Sequence, residues 1–512
     1  MTRSSGRLLL LLLAVILVGT CGGGAGKQPT IRSAAAFGIP RAQAAFGVRR
    51  DVTASYCSRY WHLAAPYPLG SAAAIHIGNT NSCIAAYDFH PGTNDYYQLC
   101  IPSWVAVKAD GATVAGEAAM EHAAASPATT VSGFTRLLHL RLQDDVVQNE
   151  MKRAPYKFSE VAGRAAIKIQ AGTTTKELSP VDLSIILMTE LRRRAEAHLG
   201  RELWSAVIAV PRHLNHDARQ SVASAGWLAA GFHGGAKVLD RQIAAAAAYG
   251  HHEAQGDGKA IMVLRVGGRT SDAAIIKFIN GAARLVHARD DIGLGGEDFT
   301  ARIVDHIAEL IMEQRQWDVR QDAEALRALT VACEHAKKAL SDQEETLVQV
   351  ELGGGGGFFS APLTRAKLEE LNHYLFEKAL RLVDSVVMGA PPSWLPRDDS
   401  RKDMVDEIVL VGGSAKIPEL RQLVKNYFHG RRPNSRKGVE PEDAIIKGTA
   451  ILSRPEWAPY VEECFNHIHR PHLVTYIPRD PHKPRDPTSI REALLPLPLS
   501  ECKGKELGED CI

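Results

Sequence analysis

Ile75-His-Ile-Gly-Asn-Thr80, Leu264-Arg-Val-Gly-Gly-Arg-Thr270 and Leu410-Val-Gly-Gly-Ser414 each run from a strand-like segment into glycine and then into a hydroxyl or amide side chain. Glycine after a strand lets backbone N–H groups approach an anion closely, and a following Ser or Thr adds a hydroxyl donor. One such turn carries little weight, because most Gly-Gly pairs are plain turns. Two hairpins of this kind roughly 190 residues apart, with a third turn beyond them, form a constellation. It points to a duplicated fold that clamps a nucleotide's phosphates from both sides.

The surrounding sequence agrees with that reading. Residues 72–78 and 82–87 read as a hairpin, and 259–266 with 272–279 as a second one, followed by Asn280-Gly281 as a further turn. Residues 204–210 and 407–411 read as buried strands. Helical periodicity covers 183–199, 218–230, 244–249, 323–340, 368–387 and 417–426. Strands alternating with helices, with several strand-to-glycine turns, predict an α/β fold with mixed sheets.

The 512-residue chain is 45% hydrophobic and 23% charged, with a net charge of +2, which is ordinary globular composition with room for two lobes. Nothing in the charge pattern calls for nucleic acid or an anionic membrane as partner. At the N-terminus Arg3 and Arg7 precede an apolar run from Leu8 to Val18 and small residues up to Gly26, so residues 1–26 read as a secretory signal peptide. The apolar run is well short of the roughly 20 residues that span a bilayer. An uncleaved signal anchor is the alternative; once the signal is cleaved no membrane association is expected. Residues 27–70 read as a linker or disordered extension, and residues 454–512 as a proline-rich tail without periodicity. The terminal Glu509-Asp510-Cys511-Ile512 is not a luminal retention signal. Eight cysteines are too sparse and irregular for a disulfide scaffold; pairs such as Cys502 with Cys511 are permitted but unassigned. Cys464, His467, His469 and His472 cluster in the tail with a spacing that fits no standard zinc site.

Four longer segments carry a resemblance to a known family. Residues 207–220, VIAVPRHLNHDARQ, are similar to V-x-T-V-P-A-Y-F-N-D-x-Q-R-Q; residues 293–299, GLGGEDF, to H-L-G-G-E-D-F; residues 332–341, ACEHAKKALS, to A-C-E-R-A-K-R-x-L-S; residues 408–418, IVLVGGSAKIP, to I-V-L-V-G-G-S-T-R-I-P. In this order they resemble the heat-shock protein 70 chaperones, within the actin-like fold. The resemblance runs over residues 71–453 and implies a two-lobed ATPase fold with duplicated mixed sheets and flanking helices, binding ATP or ADP. With the signal peptide, it implies a luminal, secretory-pathway member that assists protein folding. J-domain co-chaperones and nucleotide exchange factors are the partners it implies. Unfolded polypeptide is not an expected partner, because the tail is too short for the family's peptide-binding sandwich and lid.

The resemblance also assigns a site residue by residue. Glu334, Lys337, Lys338 and Ser341, on one helical face, are implied to hold adenosine, with Lys416 in place of an arginine that stacks on adenine. Gly78, Asn79, Thr80, Gly267, Gly268, Thr270, Gly295, Gly296, Glu297, Gly412, Gly413 and Ser414 are implied around phosphates and ribose. Pro211 and Arg219 match a pair tied to communication between domains. The catalytic set departs from the pattern. His76 and Arg265 stand for two aspartates, Arg241 for a glutamate and Thr135 for a lysine, so Asp272 alone is retained; Arg269 stands for a glycine. Cations replace the anions that hold Mg²⁺, so metal binding is expected to be weakened most. Each lost electrostatic group typically costs about 10²–10³ in rate, and such losses are not additive. Two functions follow as expectations: an ATP-binding chaperone with impaired hydrolysis, or a non-catalytic pseudo-ATPase that binds nucleotide or co-chaperones as a regulator or decoy.

Overall fold

The two glycine hairpins form the centres of two sheets with matching topology. A computed structural model describes residues 72–88, 95–253, 257–279, 282–352, 357–391, 399–434, 438–454 and 474–476. The expected signal peptide, linker, tail histidines and Cys502–Cys511 pair lie outside these residues. Strands β1 (Ala72–Ile77), β2 (Asn81–Asp88) and β3 (Asp95–Pro102) form an antiparallel meander. Three short strands, β4 (Trp104–Val107), β5 (Thr113–Ala115) and β6 (Thr130–Ser132), form one small sheet, and β7 (Lys157–Val161), β8 (Arg164–Ala171) and β9 (Thr174–Leu178) form another. Helices α1 (Glu117–Ala125), α2 (Asp145–Met151) and α3 (Pro180–Leu199) flank them. Ser179 caps α3 with a capping box to Asp182, Pro180 sits in the first turn, and Gly200 closes it in the left-handed region. Strands β10 (Ser205–Val210) and β11 (Ala236–Asp240) add in parallel to β1, giving the order β11-β10-β1-β2-β3.

The second lobe repeats the scheme. Strands β12 (Asp257–Val266), β13 (Ser271–Ile279) and β14 (Ala282–Asp291) form its meander, β15 (Glu345–Leu352) pairs with β16 (Gly357–Thr364), and β17 (Glu407–Val411) lies parallel to β12 as β10 does to β1. Val474–Tyr476, in the stretch expected to lack periodicity, pairs antiparallel with β14 as β18 and gives the order β17-β12-β13-β14-β18. This is the duplicated arrangement expected from the turns and the two-lobed, actin-like fold that the resemblance implies. Helix α4 (His216–Ser224), capped by Asn215, continues into a π-helical turn at Ala225–Ala229. It packs with α3 in the first core around Ile75, Ile84 and Ile208. Helices α6 (Gly296–Arg315), α7 (Ala323–Ala339), α8 (Arg365–Gly389) and α9 (Pro418–Tyr427) cover the second sheet around Phe299, Phe376 and Leu410. Between the sheets, α5 (Arg241–Ala248) and α10 (Ala444–Leu452) cross so tightly that a Cβ at Gly448 would lie 1.7 Å from the Ala244 carbonyl oxygen.

Cys83 and Cys100, opposite each other on β2 and β3, form a disulfide. Spacing along the chain gave no sign of this pair. It follows from strand register, which sets directly opposed side chains within bonding range.

Candidate nucleotide site

The two expected phosphate turns meet face to face. Gly78–Thr80 joins β1 to β2, and Gly267–Thr270 joins β12 to β13. Thr80 packs on Gly268 so closely that a Cβ at Gly268 would lie 1.9 Å from its hydroxyl. Asn79 links the turns: its Nδ2 lies 3.5 Å from Thr270 Oγ1, while its Oδ1 accepts from Thr135 Oγ1 at 2.6 Å and from the Arg136 N–H at 3.0 Å. Thr135, at the expected lysine position, thus donates its hydroxyl proton to an amide of the protein.

Behind the turns lies a buried charge cluster. Asp272, in β13, is 0% exposed. Its Oδ2 accepts from Arg265 Nε at 2.6 Å and from Arg241, and its Oδ1 accepts from Gln242 Nε2 at 2.8 Å. Arg265 also donates to the Thr270 carbonyl and hydroxyl at 2.9 and 2.6 Å. Sheet register explains the proximity, because Arg265 and Asp272 are directly paired across β12 and β13. Arg241 is the first residue of α5, where the helix dipole disfavours a cation; Asp272 supplies the opposing charge. Burial alone would raise the Asp272 carboxyl, but Arg241 and Arg265 outweigh it and hold it below the usual range. Burial and the neighbouring Arg265 bring Arg241 down to about 10. Two guanidinium groups on one carboxylate leave one positive charge over in the direct contact shell. Asp290, opposite Asp272 on β14, adds a more distant negative charge and faces His213 at 3.4 Å.

His76, in β1, completes the cluster. Burial first, then Arg241 and Arg265, push its pKa from 6.5 down to about 3. It is therefore neutral at physiological pH, and its Nδ1 is buried without a hydrogen-bond partner. A histidine whose folded pKa is depressed stabilises the fold fully above 6.5. Between 6.5 and about 3 the unfolded chain takes up a proton that the folded chain refuses, so stability falls as pH falls. The difference in unfolding free energy between wild type and His76→Asn, measured at about pH 7 and about pH 5, is expected to shrink against wild type by up to about 1.4 kcal/mol per pH unit. A pH-independent difference would contradict it.

Several of the remaining expected residues gather at the N-terminus of α6, while Ser341 and Lys416 lie away from it. The N–H groups of Gly296 and Glu297 donate to the carbonyls of Gly267 and Gly268 at 2.8 and 2.7 Å. The side chain of Asp298 accepts from the Gly295 N–H. Lys337 is buried, donates to the Gly296 carbonyl at 2.7 Å and pairs with Glu334 at 2.6 Å, while Lys338 is exposed and 3.5 Å from the same carboxylate. Ser414 lies against Gly296, and the Gly412 N–H donates to the Pro441 carbonyl at 2.7 Å. Gly413 starts the short turn that carries Lys416, which pairs with Glu442 at 2.9 Å and Glu440 at 3.2 Å. Ser341, Asp342, Lys416 and Arg421 line an open depression of about 430 Å³. Arg219 makes a buried ion pair with Asp240 and donates to the Pro211 carbonyl at 3.3 Å, so that expected pair is in contact.

Sequence reasoning missed Arg269 as a participant. Its guanidinium lies 3.1 Å from Glu150 and 2.6 Å from Glu297. The signal was present, as an arginine replacing glycine inside a phosphate turn.

Mg²⁺ does not fit these residues. It needs several oxygen ligands in near-octahedral array, whereas both Asp272 oxygens already accept from nitrogen donors and two guanidinium groups stand beside them. Among the described residues no group of three His, Cys, Asp or Glu side chains could hold a metal ion.

Comparison with known proteins agrees with the geometry. The chain matches the family described as Hsp70 protein over residues 72–454. It is 37% identical over 383 residues to heat shock 70 kDa protein BIP3 of Oryza sativa subsp. japonica, covering 74% of this chain and 55% of that protein. The chain therefore spans about half the length of the curated relative it matches. The two-lobed fold, the ordered glycine turns and the match across both lobes together mean that this chain belongs to the Hsp70 family.

Proposed function

We propose that this chain is a pseudo-ATPase of the secretory pathway: it binds ATP or ADP without Mg²⁺ and turns it over little or not at all. The observation that carries this reading is Asp272, the one retained carboxylate, held by Arg241, Arg265 and Gln242. Arginine pairs with phosphate through parallel N–H donors, so the guanidinium groups can meet phosphate oxygens directly, where a metal would otherwise neutralise them. Hydrolysis needs a group that orients water. The lysine of the family meets water as a charged donor; Thr135 carries no charge, and its one hydroxyl proton is donated to Asn79. The nucleoside end has the open depression beside Ser341 and Lys416. Lys416 bound to Glu440 and Glu442 makes a poorer planar stack than arginine, which favours weak base binding.

In this reading the chain acts through its partners, J-domain co-chaperones and exchange factors, as a regulator or decoy. The disulfide between Cys83 and Cys100 supports an oxidising compartment such as the endoplasmic reticulum lumen. No helix among the described residues is long and apolar enough to cross a membrane. Calorimetric titration with ATP is expected to give the same affinity with Mg²⁺ and with a chelator, and single-turnover assays no release of phosphate above background. Strongly Mg²⁺-dependent binding with steady turnover would instead favour an ATP-driven chaperone.

A further inference from the structure

Arg269 belongs to one lobe by its backbone and to the other by its side chain. It sits in the turn between β12 and β13, with its backbone pressed against Gly295, where a Cβ would meet it at 2.5 Å. From there the guanidinium reaches Glu150 on α2, Nη1 to Oε1 at 3.1 Å, and also pairs with Glu297 at the start of α6, Nε to Oε2 at 2.6 Å. Glu150 is buried and shares its other oxygen with Arg136. The receiving socket is shaped for the group. Gly133 has a φ of +63°, and a Cβ there would fall 2.5 Å from the Arg269 Cζ. A side chain at Gly133 would be strained by its backbone and would collide with the guanidinium. Burial weakens the cation, but the two carboxylates outweigh that and raise Arg269 above its ordinary value. The same closure brings Thr80 onto Gly268 and Asn79 to Thr270.

We propose that Arg269 is a built-in latch on the cleft: a tethered cation, anchored in the second lobe and seated in the first, that holds the phosphate turns together without any ligand. A polyphosphate enters only by separating Arg269 from Glu150. The latch therefore sets both the resting state of the lobes and the affinity for nucleotide, and in the second respect it rests on the pseudo-ATPase reading.

The test uses the full chain without ligand. In Arg269→Gly and, separately, Glu150→Gln, amide hydrogen exchange over residues 78–81 and 131–137 is expected to speed up about tenfold, the factor typical of losing one coupled charge interaction. Exchange in α3 should stay unchanged, which separates opening of the cleft from loss of the fold. The double variant should exchange no faster than either single one. Unchanged exchange at the turns in both single variants would overturn the latch, as would a double variant that adds the two effects in full. Calorimetry with ATP reads the second consequence: affinity about tenfold higher in Arg269→Gly than in wild type. Faster exchange with no ATP binding in either protein would sink the nucleotide reading and leave the latch standing.

Discussion

Replacing Asp272 by alanine is expected to remove about 3–5 kcal/mol of unfolding free energy, because it leaves charges buried without their partner. The carboxylate is fully enclosed and anchors Arg241, Arg265 and Gln242 at once. Without it two guanidinium groups face each other and a neutral histidine in a place water barely reaches. Asp272→Asn keeps one accepting oxygen, loses the charge and turns the other oxygen into a donor, so its cost should be smaller than that of alanine. Urea denaturation with an unchanged slope is the measurement. Added formate, the size of the lost carboxylate, should raise the midpoint of the alanine variant more than that of wild type, since a small anion can take the vacated role. A loss below about 1 kcal/mol, the level of an exposed pair, would mean that the cluster is not the anchor described.

The second large effect comes from reversing the substitutions. The combined variant His76→Asp, Thr135→Lys, Arg241→Glu and Arg265→Asp turns an excess of buried positive charge around Asp272 into a crowd of carboxylates. Like charges this close cannot all stay ionised without a cation. The variant is expected to be markedly less stable than wild type in a chelator and to recover with Mg²⁺, by about 2.7 kcal/mol at a hundredfold excess over its dissociation constant. Wild type should show no such response in thermal unfolding. Equal Mg²⁺ dependence in both proteins would refute the assignment of Arg241 and Arg265 as the reason for metal exclusion. With Arg269 still in place, turnover in the restored protein should remain low until Arg269→Gly is added.

The fold was legible because its signals are local. Glycine turns, strand runs and helical periodicity are written within a few residues of each other, and β1, β10, β12 and β17 appear close to where the patterns put them. The positive charge of Arg241 and Arg265 was legible too, since they are cations wherever their side chains point. Their convergence on one oxygen of Asp272 was not, because it depends on β12–β13 register and on α5 starting where β11 ends. Arg269 and Glu150 lie 119 residues apart, and only closure of the lobes makes them neighbours. Along α7 the spacing of Glu334, Lys337 and Lys338 told which face was polar but not that Lys337 would turn inward to the Gly296 carbonyl. Nor did it foretell that Lys416 would be claimed by Glu440 and Glu442.

The bridge between Cys83 and Cys100 bears on how the clamp is assembled. Residue faces alternate along a strand, so sliding β2 by one position would turn every side chain of β2 to the opposite face. A covalent cross-link between opposed positions forbids that slip. Cys83 is also the residue opposite His76 on β1, so a β2 held in register on β3 offers β1 a fixed edge to pair with. This hairpin leaves the ribosome before any of the second lobe has been made. Oxidation can therefore set the alignment of the first turn, and with it the later seating of Asn79 and Thr80 over their counterparts, while the rest of the cleft is still unsynthesised.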